Sequence, residues 1–317
     1  MAGVLIFLRK ETTMNFDFLK TWSKKYSKYV KPKDIPSTTI ISPPVMPEIK
    51  EPEIKPTPPR QPIPKKERPV SRSNAYREFI KIFKQLIYRH PPWEIWKDFV
   101  TLFACALSNP VDKSHYELRE ALYMDTIKKY NKQEQNLFPE LVAKTVLALE
   151  DNPEQDFLGE IYMELGLGNN AKAQIFTPYH VCELMASITG GDFAEQVKKE
   201  GYITINDPCC GGGATLIASI HQAKRELEEV GLNWQNHILI IAQDIDFTVA
   251  MMCYIQLSLL GAAAYVKVGN ALTEPMTTGD SLENYWFTPL YFSDVWSTRR
   301  LIKKMSSLFD EKETKER

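Results

Sequence analysis

The sequence predicts an α/β fold, a partial parallel sheet preceded by a helical domain, and three observations lead there. After residue 172, short apolar runs alternate with helical stretches: 202–206, a helix over about 214–230, 237–242, a helix over about 247–260, and 264–268. That order builds parallel strands joined by right-handed crossovers. Upstream, across 74–168, apolar residues recur at three- and four-residue spacing, the period of helices with one buried face. Within the alternating pattern, Gly211-Gly212-Gly213 stands where the first apolar run gives way to a helix.

Composition bounds the rest. The chain has 317 residues, 44% of them hydrophobic, and a formal net charge of -1. That length buries at least one sizeable core and suggests about two domains. Near neutrality excludes a surface that is basic all over, the simplest signature of phosphate binding. The five cysteines, Cys105, Cys182, Cys209, Cys210 and Cys253, are odd in number and form no Cys-x-x-Cys pair. Neither a disulfide framework nor a metal site is expected, and the expected compartment is the reducing cytoplasm. The apolar run 3–8 is too short for a secretory signal, and no run approaches the roughly 18 residues of a membrane span. Met14 is an alternative start.

In chain order, 1–31 is a short basic segment with Trp22, Tyr26 and Tyr29, and 32–72 is a spacer. Twelve of the 21 prolines fall in 32–70, and proline neither propagates helix nor donates to a strand ladder. The helical domain follows over 73–168. Tyr76, Phe79, Ile80, Phe83, Leu86 and Ile87 form the first stripe, and Pro91-Pro92 ends it. Trp93, Ile95, Trp96, Phe99, Val100 and Phe103 form the second, closed by Asn109-Pro110. Further helical patterns occupy about 113–130, 137–150 and 155–167. These aromatic stripes read as core, and His90 and His115 as structural or exposed. The α/β domain covers 169–292, and a C-terminal helix with a charged tail covers 293–317.

The first strand runs into Asp207-Pro208-Cys209-Cys210-Gly211-Gly212-Gly213. Glycine admits positive φ and lets backbone approach a ligand closely. The unpaired N–H groups of the next helix favour a polar or anionic group. In open α/β sheets ligands sit here, beyond the carboxyl ends of the strands. Asp244 ends the second strand, and a carboxylate there suits a ribose diol; Asp246 reads alternatively as a cap on the following helix. Asn270 follows the third strand and has two readings, an adenine-edge contact or a turn asparagine.

With Asp156-Phe157-Leu158-Gly159-Glu160-Ile161-Tyr162 and Ile175-Phe176-Thr177-Pro178, these residues resemble the N6-adenine DNA methyltransferases, especially the modification subunits of type I restriction systems. The resemblance covers about 156–272. It implies a Rossmann-like class I methyltransferase core with S-adenosylmethionine (SAM) as cofactor. It places Phe176, Thr177 and Pro178 against SAM. Asp207, Pro208, Gly211 and Gly213 would hold the methionine part, Asp244 the ribose, and Asn270 the adenine side. It also implies DNA as substrate or partner.

The family's catalytic signature, Asn-Pro-Pro followed by Tyr or Phe, is absent. Its amide and a backbone carbonyl accept from the adenine amine, and its aromatic ring stacks on the flipped base. The nearest string is Thr288-Pro289-Leu290-Tyr291. Thr288 would accept one hydrogen bond and Tyr291 would stack; the other reading is a loop with a packed tyrosine. Only three strands are legible, which leaves the first with an open edge that invites a protein partner. No target-recognition domain is visible, so a partner would supply it. Three readings follow: a shortened adenine methyltransferase, a SAM-binding or interaction module, and a methyltransferase of another substrate. The Phe-Thr-Pro segment counts against the last.

Overall fold

The computed structural model describes residues 73–167 and 176–302. The segments 1–31 and 32–72, Ile175 of the Phe-Thr-Pro motif, the 168/169 boundary and the charged tail lie outside the described residues.

Among the described residues, five α-helices come first. α1 (Asn74–Leu86) starts on Ser73, whose side chain accepts from the backbone N–H of Tyr76 at 3.2 Å. It buries Tyr76, Phe79, Ile82, Phe83 and Leu86. α2 (Pro92–Ser108) opens with proline at its first position, where no N–H is needed. α3 (Tyr116–Ile127) and α4 (Lys132–Asp151) follow, the latter under a capping box of Asn131 and Glu134. α5 (Phe157–Glu164) is capped by Asp156, which accepts from the N–H of Gly159 at 3.0 Å.

After α6 (Tyr179–Thr189) and α7 (Phe193–Glu200), the chain alternates as expected. β1 (Ile203–Asp207) leads to α8 (Ala214–Glu229), β2 (Ile238–Asp244) to α9 (Phe247–Leu260), and then β3 (Ala263–Val268). β1, β2 and β3 pair in parallel, with Asp207 level with Ala242 and Asp244 level with Val268. A fourth strand, β4 (Tyr285–Phe287), is three residues long and antiparallel to β3. Its shortness hides it from period-two patterning. The strand order is β1-β2-β3-β4, so among the described residues β1 is an edge.

Both faces of the sheet are covered, as parallel strands require. Ile238, Ile240, Ala242, Ala264 and Val266 face a core shared with α8, α9 and the five leading helices. That core runs from Tyr76 to Trp286, across the 168/169 boundary. Leu239, Ile241, Ala263 and Tyr265 face a second cluster built from Tyr285, Phe287, Tyr291 and Trp296. A helix at 294–302 continues beyond Trp296. Arg119 ties the helices to β4: its guanidinium donates to Asp112 at 2.7 Å and to the Tyr285 carbonyl at 2.6 Å, and lies 4.0 Å from the Trp286 ring. No described helix is long and apolar enough to cross a membrane.

Candidate cofactor site

The loop after β1 lies at the carboxyl ends of the parallel strands. The N–H of Cys210 donates to the Gln243 carbonyl at 3.0 Å, and the N–H of Gly269 to the Asp244 carbonyl at 2.9 Å. The loop, the end of β2 and the end of β3 are thereby stitched into one rim. Gly211 has φ 52° and Gly213 φ 94°, conformations that favour glycine. A Cβ on Gly213 would also meet Cys253 Sγ at 3.0 Å.

Two carboxylates face this rim. Asp207 Oδ1 accepts from the N–H of Cys209 at 3.0 Å, a turn that spans Pro208. Asp244 Oδ2 accepts from the N–H of Gly211 at 2.9 Å, and its Oδ1 from the N–H of Asp246 at 2.9 Å. Burial raises the pKa of Asp207; the Cys209 N–H opposes that and the Asp244 charge adds to it. Burial likewise raises Asp244, against the N–H groups of Asp246 and Gly211. Asp246 caps α9 by accepting from the N–H of Thr248 at 2.9 Å, the alternative role foreseen for it.

Phe176 reaches the same loop. Its ring stacks on Tyr162, centroids 5.4 Å apart, and lies 3.5 Å from where a Gly211 Cβ would be. Thr177 and Pro178 are exposed, and Pro178 occupies the N-cap of α6. The structure therefore brings Phe176, Asp207, Gly211, Gly213 and Asp244 together. Ile245 and Leu272 add exposed apolar surface beyond β2 and β3, at 68% and 92% exposure.

Asn270 behaves as a turn residue. Its Oδ1 accepts from the N–H groups of Leu272 at 2.9 Å and Thr273 at 3.4 Å. The loop it opens is held from below. Lys267 Nζ donates to the Glu274 carbonyl at 2.9 Å and to Asp280 Oδ2 at 2.5 Å, and Gln243 Nε2 to the Glu274 carbonyl at 3.0 Å.

Thr288, Pro289 and Tyr291 do not join this site. Because β4 runs antiparallel to β3, the chain leaves it toward the amino end of the sheet. Thr288 Oγ1 accepts from the N–H of Ala264 at 2.9 Å and donates to the Ala262 carbonyl at 2.7 Å. Ala264 lies four residues before Val268, or about 13 Å along the strand. Pro289 is buried. Tyr291 is fully buried, its ring centroid 4.8 Å from that of Phe287 and Arg300 4.1 Å from its face. Of the two readings of this string, the placement is that of a loop with a packed tyrosine: Thr288 closes the end of β3, and Tyr291 fills the second core, away from the rim.

Sequence reasoning gave no role to Gln256, nor a side-chain role to Asp156. Gln256 Nε2 donates to Asp156 Oδ1 at 2.7 Å and to the Gly212 carbonyl at 2.8 Å. The available signal was a lone amide in the otherwise apolar stretch of α9. Among the described residues no group of three or more His, Cys, Asp or Glu side chains could hold a metal ion.

Among curated proteins none matches the chain. A crystal structure of a Listeria monocytogenes protein assigned to the class I S-adenosylmethionine-dependent methyltransferases is similar at 15% identity and a TM-score of 0.35. The alignment covers 62% of this chain and 54% of that one, so the chain spans about half the length of that protein. The profile of the N-6 DNA methylases matches residues 153–316, just over half of the sequence. With β1, the glycine loop, Asp244 and β3 all inside the matched stretch, the chain belongs to the N-6 DNA methylase family, whose cofactor is S-adenosylmethionine.

Proposed function

We propose that this chain binds SAM on the rim formed by Asp207, Gly211, Gly213 and Asp244, and serves methyl transfer to the N6 of adenine in DNA. The observation that carries the proposal is the pair of carboxylates flanking a positive-φ glycine loop at the carboxyl ends of parallel strands, in a chain of this family.

The residues fit the cofactor. Asp207 and Asp244 are half-buried carboxylates, and the Asp244 charge raises the cost of ionising Asp207. A cationic group beside them relieves that cost. Each oxygen of Asp244 accepts one backbone N–H, which leaves lone pairs for two hydroxyls. Gly211 leaves room beside the Phe176 ring. SAM supplies an electrophilic methyl group on a sulfonium. The chain's own residues bind and orient it: Asp207 toward the charged methionine part, Asp244 toward the ribose, Phe176 and Ile245 along the apolar surfaces. Asn270 offers its side-chain amide nitrogen toward the adenine side while its oxygen holds the turn.

The group that activates the target adenine is not Thr288 or Tyr291, which sit at the other end of the sheet. We place it on a polypeptide that completes the sheet at the open edge of β1, which ends at the glycine loop. Target recognition on DNA falls to a partner as well, and the setting is the cytoplasm. A second reading is favoured by the burial of Tyr291: a module that binds SAM and acts through interaction alone.

Isothermal titration with SAM, followed by transfer of labelled methyl groups to adenine-containing DNA, separates these. Binding with transfer supports the enzyme and locates activity outside Thr288–Tyr291. Binding without transfer supports the module. Absence of SAM binding overturns both.

A further inference from the structure

α9 is buried on nearly every side, and Gln256 within it has no solvent exposure. A primary amide in such a place is costly unless its bonds are made. Here they are. Oε1 accepts from the N–H of Leu158 at 3.1 Å, and the two Nε2 hydrogens go to Asp156 Oδ1 at 2.7 Å and to the Gly212 carbonyl at 2.8 Å. Asp156 Oδ1 also accepts from the N–H of Gly159 at 3.0 Å. The two chains of contact are tight: a Cβ on Gly159 would collide with Asp156 Oδ2 at 1.9 Å, and one on Gly212 would meet Asp156 Oδ1 at 3.4 Å. One amide therefore joins the first turn of α5, the middle of α9 and the centre of the glycine loop.

The bond to Gly212 bears on the loop's shape. The Gly212–Gly213 peptide is held at both ends, its oxygen by Gln256 and its N–H by the Cys210 carbonyl at 2.8 Å. A peptide is rigid and planar, so fixing the oxygen fixes the direction of the N–H. Glycines flank that unit, and glycine offers little resistance to rotation of the whole peptide. Nothing in the glycine sequence itself selects one orientation.

We infer that Gln256 is a positioning residue for SAM: supported by Asp156, it holds the Gly212–Gly213 peptide in the one orientation that presents the loop to the cofactor. It acts through Gly212 and touches no substrate. This rests on the SAM-binding reading above. A purely structural Gln256 would join α5 to α9 and affect stability alone.

The test uses the full chain with two variants, Gln256→Met and Gln256→Glu. Gln256→Met keeps the side-chain length and removes both donors. It is expected to bind SAM at least about tenfold more weakly, the scale of one lost buried hydrogen bond, while keeping a cooperative thermal transition. Gln256→Glu keeps the acceptor for Leu158 and can donate only when protonated. Its SAM affinity, as a ratio to the wild-type value at each pH, is expected to rise on acidification. Wild-type affinity in a folded Gln256→Met protein, or a flat ratio for Gln256→Glu, overturns the inference. Should Gln256→Met not fold, the Gln256→Glu ratio decides alone. Amide exchange at Gly213 keeps this separate from the functional reading: it is expected to quicken at least about tenfold in either folded variant without any SAM present, Gln256→Glu being read above the pKa of its carboxyl. Failure of wild type to bind SAM, with that quickening observed, would sink the cofactor reading and leave the loop assignment standing. Unchanged exchange would sink the loop assignment.

Discussion

The two ends of the sheet are built on opposite plans. At the carboxyl end, backbone conformation does the shaping: Gly211 and Gly213 hold positive φ, and Asp207 and Asp244 accept from loop N–H groups while staying open to the rim. At the amino end, side-chain volume does it: Thr288, Tyr291 and Trp296 have no exposure, and Tyr265, Phe287 and Tyr291 pack ring against ring. The first end leaves polar groups with capacity to spare. The second leaves space for nothing larger than what already fills it. A site that must admit a nucleoside belongs to the first plan, and the direction of β4 alone decides that Thr288–Tyr291 falls under the second.

The comparison breaks most readily at Tyr291. Tyr291→Ala empties a fully buried ring site and is expected to cost about 3–5 kcal/mol in stability, read by denaturant unfolding. SAM affinity of the folded protein should not change. A stable Tyr291→Ala protein that binds SAM and has lost methyl transfer would return Tyr291 to the catalytic role. Thr288→Val, nearly isosteric, removes the hydroxyl bonded to Ala262 and Ala264 and should cost about 1–3 kcal/mol, again with SAM affinity intact.

The opposite signature is expected at the other end. Gly213→Ala forces a side chain into φ 94° and against Cys253, so it should lose about 1–3 kcal/mol of stability and SAM binding with it. Asp207→Ala should leave the fold nearly untouched and weaken SAM binding by about 1.5–3 kcal/mol, measured by titration calorimetry. Equal SAM affinity in Asp207→Ala and wild type would remove Asp207 from the site.

What could be read in advance follows the same division. α8 and α9, and the three parallel strands, were legible to within a residue or two because long apolar runs and the 3.6 period report burial directly. That Asp207, Gly211, Gly213 and Asp244 meet at one rim was legible because their residue types answer to backbone geometry. β4 was not: three residues carry no period, and strand direction is set by the tertiary packing of Tyr285 and Phe287, not by local pattern. The same gap left both readings of Thr288 and Tyr291 open. Gln256 escaped because its partners, Asp156 and Gly212, lie 100 and 44 residues away in sequence.

pH offers the finest probe. Asp207 and Asp244 have folded-state pKa values raised above the ordinary 3.8, chiefly by burial. For an acid so shifted, the folded state favours the protonated form. Its contribution to stability is present below the unfolded pKa and is lost as pH rises through the folded one. The SAM-free protein should therefore lose a small part of its stability as pH climbs out of the acid range at this rim. SAM, being cationic, prefers the ionised pair, so its affinity should move the other way and fall on acidification, beginning at a higher pH than an ordinary carboxylate would give. Asp280 works against the first trend: burial alone would raise it, but its bonds to Lys267, Thr277 and Tyr285 hold it low, so its contribution is lost only in strong acid. Asp207→Asn removes one of the two titrating carboxyls without removing its bond to Cys209. Its SAM affinity should start lower at neutral pH and then fall less steeply with acid than that of the wild type. Parallel curves for the two proteins would mean that Asp207 does not sense the bound cation, and that the carboxyl end of the sheet holds its ligand by shape rather than charge.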